Sequence, residues 1–64
     1  MFNHEKMAEI IRKKGIEQKA LARKVGVSEA MMSFIVNGLK EPSLTVLGRI
    51  AHELGVSAAE LIKE

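Results

Sequence analysis

Few residues in this 64-residue sequence are suited to bond-breaking chemistry. Cysteine and aspartate are both missing, so thiolate nucleophiles, disulfides and aspartate dyads are excluded. The two histidines, His4 and His52, lie far apart, and no third ligand is spaced to complete a zinc site with either. His4 falls near the N-terminus, where fraying is expected, and His52 beside Glu53 on the outer face of a helix. Both read as surface histidines. No Gly-Lys-Ser or Gly-Lys-Thr follows any of the glycines, so the chain has no phosphate loop. An enzyme is therefore not expected, and neither is a metal or a cofactor.

Charge offers more. Ten basic side chains stand against eight acidic ones, a net +2. Residues 1–32 hold seven of the basic and four of the acidic groups, whereas 33–64 hold three and four. The excess gathers at Arg12, Lys13, Lys14, Lys19, Arg23 and Lys24. Such a cluster reads either as a solvated helical face or as an edge that binds a polyanion. Charge alone does not choose between them.

The elements that must position these groups are helices. Apolar residues recur with helical period along nearly the whole chain, and no stretch alternates long enough to suggest a strand. Gly15, Gly26, Gly38 and Gly55 each follow an apolar-periodic run, where glycine commonly ends a helix. Ser28, Ser43 and Ser57 each precede the next run, where a hydroxyl can accept from a free backbone N–H. Five helices result, in one all-α domain over residues 1–64.

The first helix spans roughly Asn3 to Lys14 with Met7, Ile10 and Ile11 on one face. The second runs from about Gln18 to Val25 and buries Leu21, Ala22 and Val25. The third starts after Ser28 and ends near Asn37, with Met32, Ile35 and Val36 inward. The fourth follows Pro42-Ser43 and buries Leu44, Leu47, Ile50, Ala51 and Leu54. The fifth opens on the capping box Ser57-Ala58-Ala59-Glu60 and buries Leu61, with Ile62 as a further candidate. Gly48 is out of place within the fourth helix, where close approach of a backbone or simple tolerance would account for it. Gly-Val-Ser occurs twice, at 26–28 and 55–57, as a helix stop, a corner plug and a helix start.

A domain this small buries only about 60% of the surface its unfolded chain exposes. Its stability must come from efficient helix packing, helped by dimerisation. No run of about eighteen apolar residues is present to span a membrane. The first helix mixes Glu5, Lys6, Glu9 and Arg12 into its apolar residues, unlike a signal peptide. These features fit a soluble, cytoplasmic chain.

The stretch from Gln18 to Asn37 meets a specific set of demands. Two helices joined through a short, sharp turn need a small residue where they approach, a glycine at the turn and apolar residues in the wedge. Ala22, Gly26 and the set Leu21, Val25, Val27, Met32 and Ile35 supply these in order. With Gly15-Ile16-Glu17-Gln18, Asn37-Gly38, Pro42-Ser43-Leu44 and Leu54-Gly55-Val56-Ser57, the chain resembles the Cro/CI-type (lambda-repressor-like, XRE) helix-turn-helix domains of phage repressors and bacterial regulators. The resemblance runs from about Ile10 to Leu61. It implies a five-helix fold, sequence-specific binding of duplex DNA and a homodimer on a two-fold operator.

Under that resemblance the helix after Ser28 is the recognition helix, its N-terminal part against base edges in the major groove. Glu29, Ala30, Ser33 and Phe34 face outward as base-contacting candidates, with Met31 at the margin. Glu29 can accept from a cytosine N4 amine, Ser33 can bond several bases, and Ala30 or Phe34 can pack on a thymine methyl. Gln18 matches the family position that anchors a backbone phosphate. Lys19, Ser28, Asn37 and Lys40 are further phosphate candidates. Val56, Leu61 and Ile62 are candidates for the dimer interface.

Two departures from the family pattern stand out. The recognition face lacks Arg, Lys, Gln and Asn at its centre, which shifts the reading toward methyl contacts and DNA shape. Ile11 and Val36 stand where many members carry an arginine–glutamate pair, an exchange of both partners that leaves no buried charge stranded. The alternative function on the same fold is a protein-interaction module, such as an antitoxin or docking partner, using Met31 and Phe34.

Overall fold

The computed structural model describes residues 1–63. Four α-helices follow one another: α1 (His4–Lys14), α2 (Gln18–Val25), α3 (Glu29–Val36) and α4 (Leu44–Leu54). The fold is all-helical as expected, but the fifth element is not an α-helix. Ala58–Leu61 forms one 3-10 turn. Glu60 does accept from the Ser57 N–H, at 3.1 Å, as the capping box requires. Its own N–H, however, donates to the Ser57 carbonyl at 3.1 Å, closing the tighter i→i−3 ring. Ile62 then turns extended and makes an antiparallel bridge with Phe2.

That bridge ties the chain ends together, with Asn3 N–H on the Leu61 carbonyl at 2.7 Å and Lys63 N–H on the Met1 carbonyl at 2.6 Å. Lys63 Nζ reaches Glu5 Oε1 at 2.8 Å, and this bonded cation holds the Glu5 carboxyl below its ordinary range. The N-terminus is thus anchored rather than frayed. Asn3 caps α1 by accepting from Lys6 N–H at 3.0 Å, and Phe2 and Met7 occupy the N′ and N4 positions of a hydrophobic staple. Both are buried, and Phe2 is a core residue that helical periodicity alone does not find.

Three helices end in one kind of corner. At the α2–α3 turn Gly26 takes a left-handed φ of 87°, and the Val27 N–H reaches back to the Ala22 carbonyl at 3.0 Å. Ile16 and Val56 repeat that bond onto Ile11 and Ala51, also at 3.0 Å. Each apolar residue after the glycine packs on the core, which is the contact such a motif uses to fix the angle between elements. The corner after α3 differs. Leu39 makes the same backward bond, to Phe34 at 2.8 Å, yet leaves 70% of itself exposed.

The core joins Met7 and Ile10 of α1, Leu21, Ala22 and Val25 of α2, Met32 and Ile35 of α3 and Leu47, Ile50, Ala51 and Leu54 of α4 with Phe2 and Leu61. Among the described residues no polar side chain is buried with them. Ile11 and Val36 pack against it half-buried, with no charged group between them and the core.

Two expectations about burial and one about an interface need correction. Leu44 is in phase with the α4 stripe but sits in its first turn, where no neighbouring element covers it, and is 86% exposed. Ile62 lies on the outer side of the terminal bridge and is 42% exposed. Leu61, a candidate for a dimer surface, is wholly buried within its own chain. Gly48 has nothing within 4 Å of where a Cβ would stand, so no close approach explains it.

Candidate nucleic-acid interface

The site is built on α3 and the elements at its two ends. Ser28 caps α3, its Oγ accepting from Met31 N–H at 3.0 Å, which leaves the hydroxyl proton free to donate outward. Behind the helix, Met32 and Ile35 lock into the core against α1 and α2. The opposite side is therefore committed to solvent. Glu29, Ala30 and Phe34 are exposed and Ser33 is half-exposed. Glu29 has no ion pair or side-chain hydrogen bond among the described residues. Met31 packs half-buried against the core, which removes it from the outward set.

Two of the sequence candidates come together at the far end of α3. Lys40 Nζ lies 5.6 Å from the centre of the Phe34 ring, within range of a cation–π attraction. Asn37, expected to meet phosphate, instead turns its amide back: Nδ2 donates to the Ser33 carbonyl at 2.9 Å and to Ser33 Oγ at 3.4 Å. Its side-chain donors are engaged in closing α3.

At the start of α2 the situation is reversed. Glu17 stands at the N-cap without a side-chain hydrogen bond, and the first turn holds no acidic residue. The free N–H groups and positive helix end are left open beside Gln18 and Lys19, where an anionic oxygen is favoured.

The basic cluster also resolves into two kinds of residue. Lys14 Nζ donates to the Leu54 carbonyl at 2.6 Å, capping the end of α4. Lys24 pairs with Glu53 at 4.0 Å. Arg12, Lys13, Lys19 and Arg23 are left without an ion pair among the described residues. Arg49, which charge clustering did not mark, donates from Nη1 to the Val25 carbonyl at 3.3 Å and so braces the α2–α3 turn. Its signal in the sequence was weak, because the contact spans 24 residues.

No pocket opens among the described residues, and no three of their His, Asp, Glu or Cys groups gather as for a metal ion. Among the described residues no helix is long and apolar enough to cross a membrane.

The helix-turn-helix family model matches residues 7–61, from within α1 to the end of the 3-10 turn. The chain belongs to this family. It is a Cro/CI-type helix-turn-helix domain, of a family of DNA-binding transcriptional regulators that are typically not enzymes. Among solved structures, the N-terminal DNA binding domain of SinR from Bacillus subtilis superposes with a TM-score of 0.83 at 29% sequence identity. That match covers 95% of this chain and 90% of the other. No curated protein matches the chain in sequence. In helix-turn-helix terms, α2 and α3 are the two helices of the motif.

Proposed function

We propose that this helix-turn-helix domain is a sequence-specific repressor of transcription, soluble and cytoplasmic, that reads duplex DNA in the major groove with α3. The observation that carries the reading is the outward face of α3, free of intramolecular ties at Glu29 and Ala30 while its inner face is fixed in the core. Base edges would meet Glu29, Ala30, Ser33 and Phe34. Phosphates would flank them at Gln18 and Lys19 on one side and at Ser28 and Lys40 on the other, with Asn37 joining only by giving up its bonds to Ser33.

The protein would act as a weak homodimer on half-sites about 34 Å apart, one helical turn. Ile62 is exposed for that contact and Val56 only half so, whereas Leu61 is buried. Sedimentation that finds only monomer at high concentration and on DNA would remove the dimer.

Fluorescence-anisotropy titration against random duplex and against DNA flanking the gene tests the main reading. Preference for the flanking DNA, with affinity falling steeply in salt, supports it. Absence of binding at low salt overturns it.

One observation favours a protein partner as a second reading: Leu39 and Leu44, close after α3, expose 70% and 86% of their surface. Double substitution of both by serine that abolishes capture of a partner, with DNA binding intact, would support that role.

A further inference from the structure

The exposed face of α3 has an internal order. Glu29 and Ser33 are four residues apart, as are Ala30 and Phe34, so each pair stacks along the helix axis. Two parallel rows result, one polar and headed by a carboxylate, the other apolar. In the polar row Glu29 has no cationic partner among the described residues, while Ser33 Oγ accepts from Asn37 and keeps its hydroxyl proton to donate. The apolar row ends in a ring that is 40% exposed and faced by the Lys40 ammonium. Neither row holds the arginine, lysine, asparagine or glutamine that reads purines by paired hydrogen bonds.

A base complementary to this face must present a donor beside an apolar group in the major groove. Cytosine offers its N4 amine there but only a hydrogen at the adjacent C5. Thymine offers a C5-methyl, but its neighbour is the O4 acceptor, which a carboxylate repels. Cytosine methylated at C5 offers both, on adjacent ring atoms.

We propose, resting on the DNA-binding reading above, that α3 recognises 5-methylcytosine in preference to cytosine, with Glu29 accepting from the N4 amine while Ala30 and Phe34 cover the methyl group. Lys40 contributes by holding the ring in place at the end of the row, close to where a phosphate would run. Removing one methyl from water against these side chains is expected to raise affinity about fourfold per contacted cytosine.

The test uses the full chain and randomised duplex pools copied with either deoxycytidine or 5-methyldeoxycytidine triphosphate. Bound duplexes are enriched, and the best is titrated in methylated and unmethylated form. The expected result is a methylated-to-unmethylated affinity ratio of about four or more. In Phe34→Ala that ratio falls toward one, and in Glu29→Ala the enriched sites lose their cytosines. Circular dichroism confirms that both variants fold, and the ratio, read within each variant, is insensitive to overall loss of affinity. A wild-type ratio at or below one, enriched sites without cytosine, or a ratio unchanged in Phe34→Ala overturns the proposal while leaving DNA binding intact. Enrichment of no duplex from either pool overturns the DNA-binding reading itself, and this one with it.

Discussion

Gly38 sits at the joint between α3 and the loop that follows it, with a φ of 77°. A Cβ there would meet the His4 ring at 2.5 Å. His4 Nδ1 lies 3.3 Å from the Val36 carbonyl, which can only accept, so the nitrogen facing it carries the proton. Two costs therefore add in Gly38→Ala: left-handed strain and displacement of a ring that bonds the end of α3. We expect a loss of about 2–3 kcal/mol. In a His4→Ala background only the strain remains, so denaturant melts of the four variants should show coupling of about 1 kcal/mol. Strict additivity would mean that the ring moves aside without cost. Gly15→Ala is the control, since its φ is 63° and nothing lies within 4 Å.

At the scale of elements, α4 carries a correctable weakness and the chain ends carry a contribution to the core. Gly48 is exposed within α4 with open space where a side chain would go. Gly48→Ala should stabilise the domain by about 1 kcal/mol, read as a rise in Tm of roughly 4–8 °C. No gain would show that the position meets something outside the monomer. The 3-10 turn predicts the opposite sign. Leu61 is fully buried, so Leu61→Ala should lose about 2–5 kcal/mol in a domain with little to spare. Ile62→Ala, at a residue 42% exposed, should lose much less in dilute solution. Equal losses would contradict the division between core and surface at this corner.

For the molecule as a whole, the division of its cations is what solution measurements should detect. Lys14 closes α4 and Lys19 stands free beside the open start of α2. Lys19→Ala should weaken DNA binding evenly across sequences and lower the slope of log affinity against log salt by about 1. Lys14→Ala should leave that slope unchanged and lower stability instead, by about 1 kcal/mol. Anisotropy titrations at four salt concentrations, beside thermal melts, separate the two. An equal change of slope in both variants would mean that Lys14 leaves Leu54 to meet the DNA.

The all-α class, the bounds of α1 to α4 within about a residue, and the glycine corners were legible in the sequence. Each follows from local physics: helical period, serine caps and glycines able to take a left-handed φ. The outward face of α3 was legible for the same reason, because a helix whose Met32 and Ile35 turn inward must turn Glu29, Ala30 and Phe34 outward. Contacts between distant residues were not. Phe2 in the core, the bridge that converts a fifth helix into a single turn, Leu44 left bare, and Lys14, Arg49 and Asn37 drawn into capping depend on which segments meet in space. Local pattern fixes the phase of a side chain on its own helix. Whether a neighbour lies there to cover it, or a carbonyl to receive it, is decided only by the packing of the whole chain.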